Sequence, residues 1–340
     1  MTLLLVRLTR LAFLRFRCAR TRMYACAAVL ERPAHLARPS VMFFLWLLAA
    51  CAPQEQPYVA DHPQSPALTQ DSFTASDGHM LPVRAWVPRQ TPNAVIIALH
   101  GFNDYSHAFS GAGDYFTKKR IALYAYDQRG FGATDQAGIW GNVANFTQDL
   151  REFSGQVAKR YPRTPLYILG ESMGGAVAIA AATNGEIKPK GLILVAPAIW
   201  GSEAMPFAYR AALWTSAHAV PYWRMTGSDL RIRASNNMPM LRRMAADPLV
   251  IKATRVDAVY GLAQLMGEAY ERLPLITTPT LLLYGGHDEV IRRAPMDMAL
   301  ARLPASVRFA YYPDSYHMML RDLQAEAIMA DIARWVLDKK

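Results

Sequence analysis

The chain has 340 residues, 52% of them hydrophobic and 19% charged, enough for one large core with an insertion rather than several domains. The formal net charge of +10 suggests a nucleic-acid partner, but residues 1–50 carry eight arginines against one glutamate and leave only +3 on the remainder. No nucleic-acid motif accompanies that charge, so a nucleic-acid partner is excluded.

The first element in chain order is a leader over residues 1–50. Its uncharged apolar run Val41 to Ala50 ends in small residues and follows Arg32 and Arg38. That is a secretory signal pattern, too short to span a bilayer as a mature helix. Leu48-Ala49-Ala50-Cys51 resembles a bacterial lipoprotein box, which implies lipid attachment at Cys51 and an exported protein anchored in a membrane of the cell envelope. The Pro-rich stretch after it reads as a flexible tether over 51–70. The other cysteines, Cys18 and Cys26, lie in the leader, so the mature body has no disulfide framework or cysteine-based metal site.

From residue 71 onward the pattern alternates between strands and helices. Residues 73–76 and 80–87 flank Asp77-Gly78, a hairpin signal. Ala94 to Leu99 and Ile121 to Tyr126 are buried strands. Residues 143–160 place Val143, Phe146, Leu150, Phe153 and Val157 at helical spacing. Asp127, ahead of the later motifs and beside Arg129, suits a structural loop contact. Pro165 to Leu169 is a further strand, and Gly170-Glu171-Ser172-Met173-Gly174 follows it and opens a helix of small residues. Strand, sharp turn and helix around Gly-x-Ser-x-Gly form the setting of a nucleophile elbow.

A serine hydroxyl needs a base, and the base an orienting acid. In the elbow fold the chain order is serine, acid, histidine. Only His218, His287 and His317 lie downstream of Ser172. His317 follows the strand Val307 to Tyr311, on a loop at its C-terminal end, and is the expected base. Asp288 follows the strand Thr280 to Tyr284 and is the favoured acid, with Glu289 and Asp314 as its competitors. Oxyanion donors are expected from the Met173 N–H and, after the strand ending at Leu99, from the Phe102 N–H beyond Gly101. His100 has an architectural place at that strand's end.

Between the strand Gly191 to Val195 and the one leading to Asp288, residues 202–273 interrupt the alternation. They show helical spacing and carry Met205, Phe207, Tyr209, Trp214, Tyr222, Trp223, Met225, Met238, Met240, Met244 and Met266. The expectation is a helical cap, a minority of whose side chains line an acyl pocket. The chain then divides into core residues 71–201, cap 202–273 and core 274–340, closed by a helix over 321–337 with Leu323, Ile328, Ile332 and Val336 facing the sheet.

His100-Gly101-Phe102-Asn103-Asp104-Tyr105-Ser106, Tyr126 to Gly132, Gly170 to Gly175, Gly285-Gly286-His287-Asp288 and Tyr316-His317 occur in this order. Together they resemble the monoacylglycerol lipase and lysophospholipase branch of the serine α/β-hydrolases, over roughly residues 71–338. Where that family often has histidine before its nucleophile, this chain has Glu171. The resemblance implies an α/β-hydrolase fold, Ser172, Asp288 and His317 as triad, and Phe102 and Met173 at the oxyanion hole. It implies a single-chain lipid ester as substrate, with no metal or organic cofactor required. Short-chain esterase, thioesterase, amidase or aminopeptidase, and acyltransferase activities share the same triad, and a silent membrane-tethered binding protein is the non-enzymatic alternative.

Overall fold

The structure is a computed structural model, and residues 52–57, 63–201, 205–227 and 232–338 are described. The leader and Cys51 lie outside these residues.

Four strands, β4 (Ala94–Leu99), β5 (Ile121–Tyr126), β7 (Gly191–Val195) and β10 (Thr280–Gly285), are buried at every position. Continuous apolar runs of this kind suit a parallel sheet covered on both faces. With β1 (Ala67–Leu68), β2 (Ser72–Thr74), β3 (Met80–Trp86), β6 (Leu166–Glu171) and β11 (Val307–Tyr312), they build a nine-stranded sheet in the order β1-β2-β3-β5-β4-β6-β7-β10-β11. From β5 to β11 neighbouring strands run parallel, whereas β1, β2 and β3 form antiparallel pairs at one edge. The hairpin between β2 and β3 turns at Gly78, whose φ of +85° lies in the left-handed region that glycine tolerates.

Helix α1 (Ser110–Lys118) and the C-terminal helix α8 (Ala325–Leu337) cover one face, packing Phe116, Ile332 and Val336 onto the sheet. The other face is covered by α2 (Val143–Arg160) and α3 (Met173–Thr183), with Phe153, Val157 and Val177 in its core. The interval after β7 contains α4 (Phe207–Ala219), α5 (Met238–Ala246) and α6 (Val256–Glu271). It also contains an antiparallel ribbon, β8 (Arg224–Thr226) with β9 (Ala253–Arg255), which the helical spacing alone did not suggest. Helix α6 packs against α3, and its Gly261 sits so close to Trp140 that an added Cβ would lie 2.4 Å from the indole nitrogen. Helix α7 (Arg293–Leu300) follows β10.

Two expectations change. The last helix starts at Ala325, and Leu323 is 69% exposed instead of facing the sheet. Residues 321–324 instead bond to the segment 235–237: Asp322 accepts from Ser235, Leu323 N–H donates to Asn236, and Asn237 donates to the Arg321 carbonyl. Residues 52–57, expected as part of a free tether, are bonded to the body. Gln56 is buried, donates from its N–H to Trp140 O (2.8 Å) and from its side chain to Ile139 O (3.0 Å), and accepts from Asn145 (2.9 Å). Asp127 serves as the expected loop contact, accepting from the N–H groups of Ser106 and Ala133. Arg129 forks between Asp77 and Asp149 in a buried ion triad.

Candidate active site

The segments that follow β4, β6, β10 and β11 meet at the C-terminal edge of the sheet, where open parallel sheets assemble ligand sites. The sharpest local feature there is Ser172, whose φ of +54° and ψ of −116° are unusual for a residue with a side chain. Such a conformation costs about 1–3 kcal/mol. It is held because the Ser172 N–H donates to Val195 O at 3.0 Å while its carbonyl accepts from Gly175 and Ala198, both at 2.9 Å. The turn closes only around glycine. A Cβ on Gly170 would sit 2.3 Å from Gly174 O, and one on Gly174 only 2.1 Å from Leu99 O.

The turn aims the Ser172 hydroxyl at the loop after β11. His317 Nε2 lies 2.9 Å from Ser172 Oγ, and His317 Nδ1 lies 2.8 Å from Asp288 Oδ2. The second carboxylate oxygen of Asp288 accepts from the N–H groups of Val290 and Ile291, at 2.9 and 2.8 Å. Both acceptor sites of this buried carboxylate are therefore assigned, so Nδ1 of His317 carries hydrogen and Nε2 is free to receive it from the serine. Burial by itself lowers the imidazole's proton affinity. The Asp288 charge and hydrogen bond, with a contribution from Glu171, more than offset that, and His317 titrates above the ordinary histidine value.

The competing residues stand elsewhere. Glu289 is exposed and accepts from the Arg233 N–H, and Asp314 is exposed. His287 is exposed and stacks on Tyr316, and His218 stacks on Trp214 in α4.

The loop after β4 borders the serine directly: a Cβ on Gly101 would lie 3.4 Å from Ser172 Cβ. His100 shapes this loop. Its Nε2 accepts from the Gln128 N–H (2.9 Å), so its Nδ1–H donates to Gly101 O (2.9 Å). Burial lowers its proton affinity, consistent with that neutral tautomer. Phe102 comes next, its ring packed against Phe131 and Trp140. Met173 is the first residue of α3, where an N–H has no intrahelical acceptor. Phe102, which follows the glycine bordering the serine, and Met173, which follows the serine itself, therefore belong to two different segments. Among the described residues, no group of three or more His, Cys, Asp or Glu side chains is arranged to hold a metal ion.

Sequence reasoning did not single out Arg321. Its guanidinium lies 2.7 Å from Asp104 and 3.3 Å from Glu171. The only linear signal was a charged residue at the variable position of the elbow. The aromatic residues of the cap interval are mostly outward: Phe207, Trp214, Tyr222 and Trp223 are exposed, whereas Met266 joins the main core.

A mostly parallel sheet flanked by helices, with a serine on a strained strand-to-helix turn and a histidine–carboxylate pair on later strand-end loops, defines an α/β-hydrolase. Residues 90–324 match the serine aminopeptidase S33 family, and the chain belongs to that family. Within the superfamily it falls in the monoacylglycerol lipase branch and is a serine ester hydrolase at family level. It is 23% identical over 282 residues to a monoacylglycerol lipase of Mycolicibacterium smegmatis, covering 80% of this chain and 98% of that protein. It is 24% identical over 294 residues to the monoglyceride lipase of Rattus norvegicus, covering 84% and 95%. Among solved structures, a soluble variant of monoglyceride lipase from Saccharomyces cerevisiae in complex with a substrate analog superposes with a TM-score of 0.67. It is 20% identical and covers 84% of this chain and 99% of that one.

Proposed function

We propose that the protein hydrolyses esters of single-chain lipids, of the monoacylglycerol or lysophospholipid type, by two-step acyl transfer to water. The observation that carries this reading is the continuous line of hydrogen bonds from Ser172 Oγ through His317 to Asp288 Oδ2. His317 removes the hydroxyl proton as Ser172 attacks the ester carbonyl. The oxyanion of the tetrahedral intermediate accepts from the Phe102 and Met173 N–H groups, each such donor being worth about 3–4 kcal/mol. His317 then protonates the departing alcohol, and a water activated by the same imidazole releases the fatty acid. Asp288 orients the ring and stabilises its charged form.

The preference for an acyl chain is supported by the lipase relatives and by the apolar composition of residues 202–273. Each methylene buried in such a pocket contributes about 0.8 kcal/mol. The proposal extends to an exported bacterial lipoprotein anchored through Cys51 in the cell envelope, supported by the apolar run and small residues before that cysteine. Among the described residues no helix is long and apolar enough to cross a membrane.

A fluorophosphonate probe tests the nucleophile, with labelling expected at Ser172 and lost in Ser172→Ala. A chain-length series of glycerol and phospholipid monoesters tests the substrate class. Cleavage of aminoacyl amides with every ester left intact would replace the lipase reading by the aminopeptidase one that the family description suggests. Intact-mass measurement of the membrane fraction tests the anchor.

A further inference from the structure

Three chain segments meet at the serine: the loop after β4, the end of β6 and the loop after β11. Hydrogen bonding within the triad joins the last two, but it does so only through the groups that must exchange protons. A second link lies beside it. Arg321, four residues after His317 on the same loop, sends Nη1 to Asp104 Oδ2 at 2.7 Å and Nη2 to Glu171 Oε2 at 3.3 Å. Asp104 belongs to the loop after β4, where its N–H donates to Gly101 O. Glu171 is the residue immediately before Ser172. The three side chains are 14%, 5% and 3% exposed, so solvent does little to screen them.

We infer that Arg321 is a positioning residue, whose guanidinium fastens the His317 loop to the strand end presenting Ser172 and to the loop presenting Phe102, with Glu171 and Asp104 as its anchors. The inference rests on the triad reading above. The planar fork of arginine is suited to it, because two carboxylates on different segments are reached by different nitrogens of one rigid group. One cation held between two carboxylates also leaves a net negative charge beside the imidazole. Glu171 favours the protonated ring and Arg321 opposes it. The other charges facing His317 are Asp288, bonded to Nδ1, and Asp322, whose carboxylate accepts from the Tyr316 N–H and the Ser235 hydroxyl. Burial raises the proton affinity of Glu171, while Arg321 opposes that rise.

The test is an NMR titration of His317 in ring-labelled protein, assigned by the resonance lost in His317→Gln. It compares the unsubstituted chain with Glu171→Gln, Arg321→Met and Arg321→Lys. Opposite displacements are expected: Glu171→Gln moves the titration to lower pH and Arg321→Met to higher pH. A purely structural role would not give opposite signs. Arg321→Lys should restore the titration but not the geometry. In ester hydrolysis Arg321→Met should lower kcat by roughly 100-fold with little change in KM, the size of effect produced by about 1 Å of misplacement. Arg321→Lys should recover only part of that loss. Displacements of the same sign, or none in folded variants, would overturn the inference. Where Arg321→Met does not fold, Glu171→Gln decides, and an unmoved titration there refutes it. The titration is repeated in Ser172→Ala, which needs no activity, so failure of the hydrolase reading and failure of this one give separate results.

Discussion

Replacing Asp288 with asparagine changes one atom and leaves the shape intact, yet the structure allows the amide no satisfactory orientation. In the protein one carboxylate oxygen faces His317 Nδ1 at 2.8 Å and the other faces two N–H groups, those of Val290 and Ile291, at 2.9 and 2.8 Å. If the amide oxygen stays toward the imidazole, its NH₂ confronts those two donors. Two buried acceptor contacts then become donor–donor contacts, at a cost of about 1–3 kcal/mol for each unsatisfied group. If the amide turns over, its oxygen satisfies the backbone and its NH₂ donates to Nδ1. The imidazole then carries its hydrogen on Nε2, facing the serine, and cannot accept the hydroxyl proton. The second orientation costs less stability, so it should dominate. The expected outcome is a folded protein whose kcat for a p-nitrophenyl ester falls by about 10⁴-fold, equivalent to about 5 kcal/mol of lost transition-state stabilisation. Urea denaturation should show a loss of about 2 kcal/mol or less. Retention of kcat within tenfold, with Glu289→Gln or Asp314→Asn abolishing activity instead, would refute this reasoning.

Other outcomes follow from the same geometry. Because His317 titrates above the ordinary histidine value and acts as base only when neutral, log kcat/KM should rise with pH and level off above about 6.5. A midpoint at or below that value in a steady-state pH profile would contradict the geometry. Gly174→Ala forces a Cβ to within 2.1 Å of Leu99 O, so soluble, active protein should be lost. Gly155→Ala, on the exposed face of α2 with nothing within 4 Å, should instead raise stability by about 0.5–1 kcal/mol in a urea melt. Arg129→Met strands the buried carboxylates of Asp77 and Asp149 and should cost about 3–5 kcal/mol, read from the denaturant midpoint. Gln56→Ala should lower the thermal midpoint as well, because Gln56 is buried and bonded to the 139–145 segment.

Much of the architecture was legible because its signals are local. Strands β4, β5 and β7 lie within the expected runs, since a strand covered on both faces must be apolar at every position. Helix α2 spans the residues whose spacing marked it. Ser172, Asp288 and His317 are marked by strand-end positions and chain order, and His317 lies within hydrogen-bonding distance of both of the others. The acid stayed open among three carboxylates because adjacent loop positions are equivalent until the loop's path is fixed. Leu323 departs from its expected place because apolar spacing continues past the end of a helix when the preceding turn is spent on side-chain bonds to Ser235, Asn236 and Asn237.

By itself the amino-acid order determined the alternation of strands and helices, the glycine-lined turn that forces Ser172 into its strained conformation, and the residue types able to move a proton there. Steric demand and hydrophobic burial act between near neighbours, so they are written in short stretches of chain. Only the tertiary structure decided that Arg321 sits between Asp104 and Glu171, that Gln56 docks beside Trp140, and which carboxylate stands behind the imidazole. Those contacts join residues up to 217 positions apart, and side-chain bonds between distant loops leave no periodic pattern in the sequence.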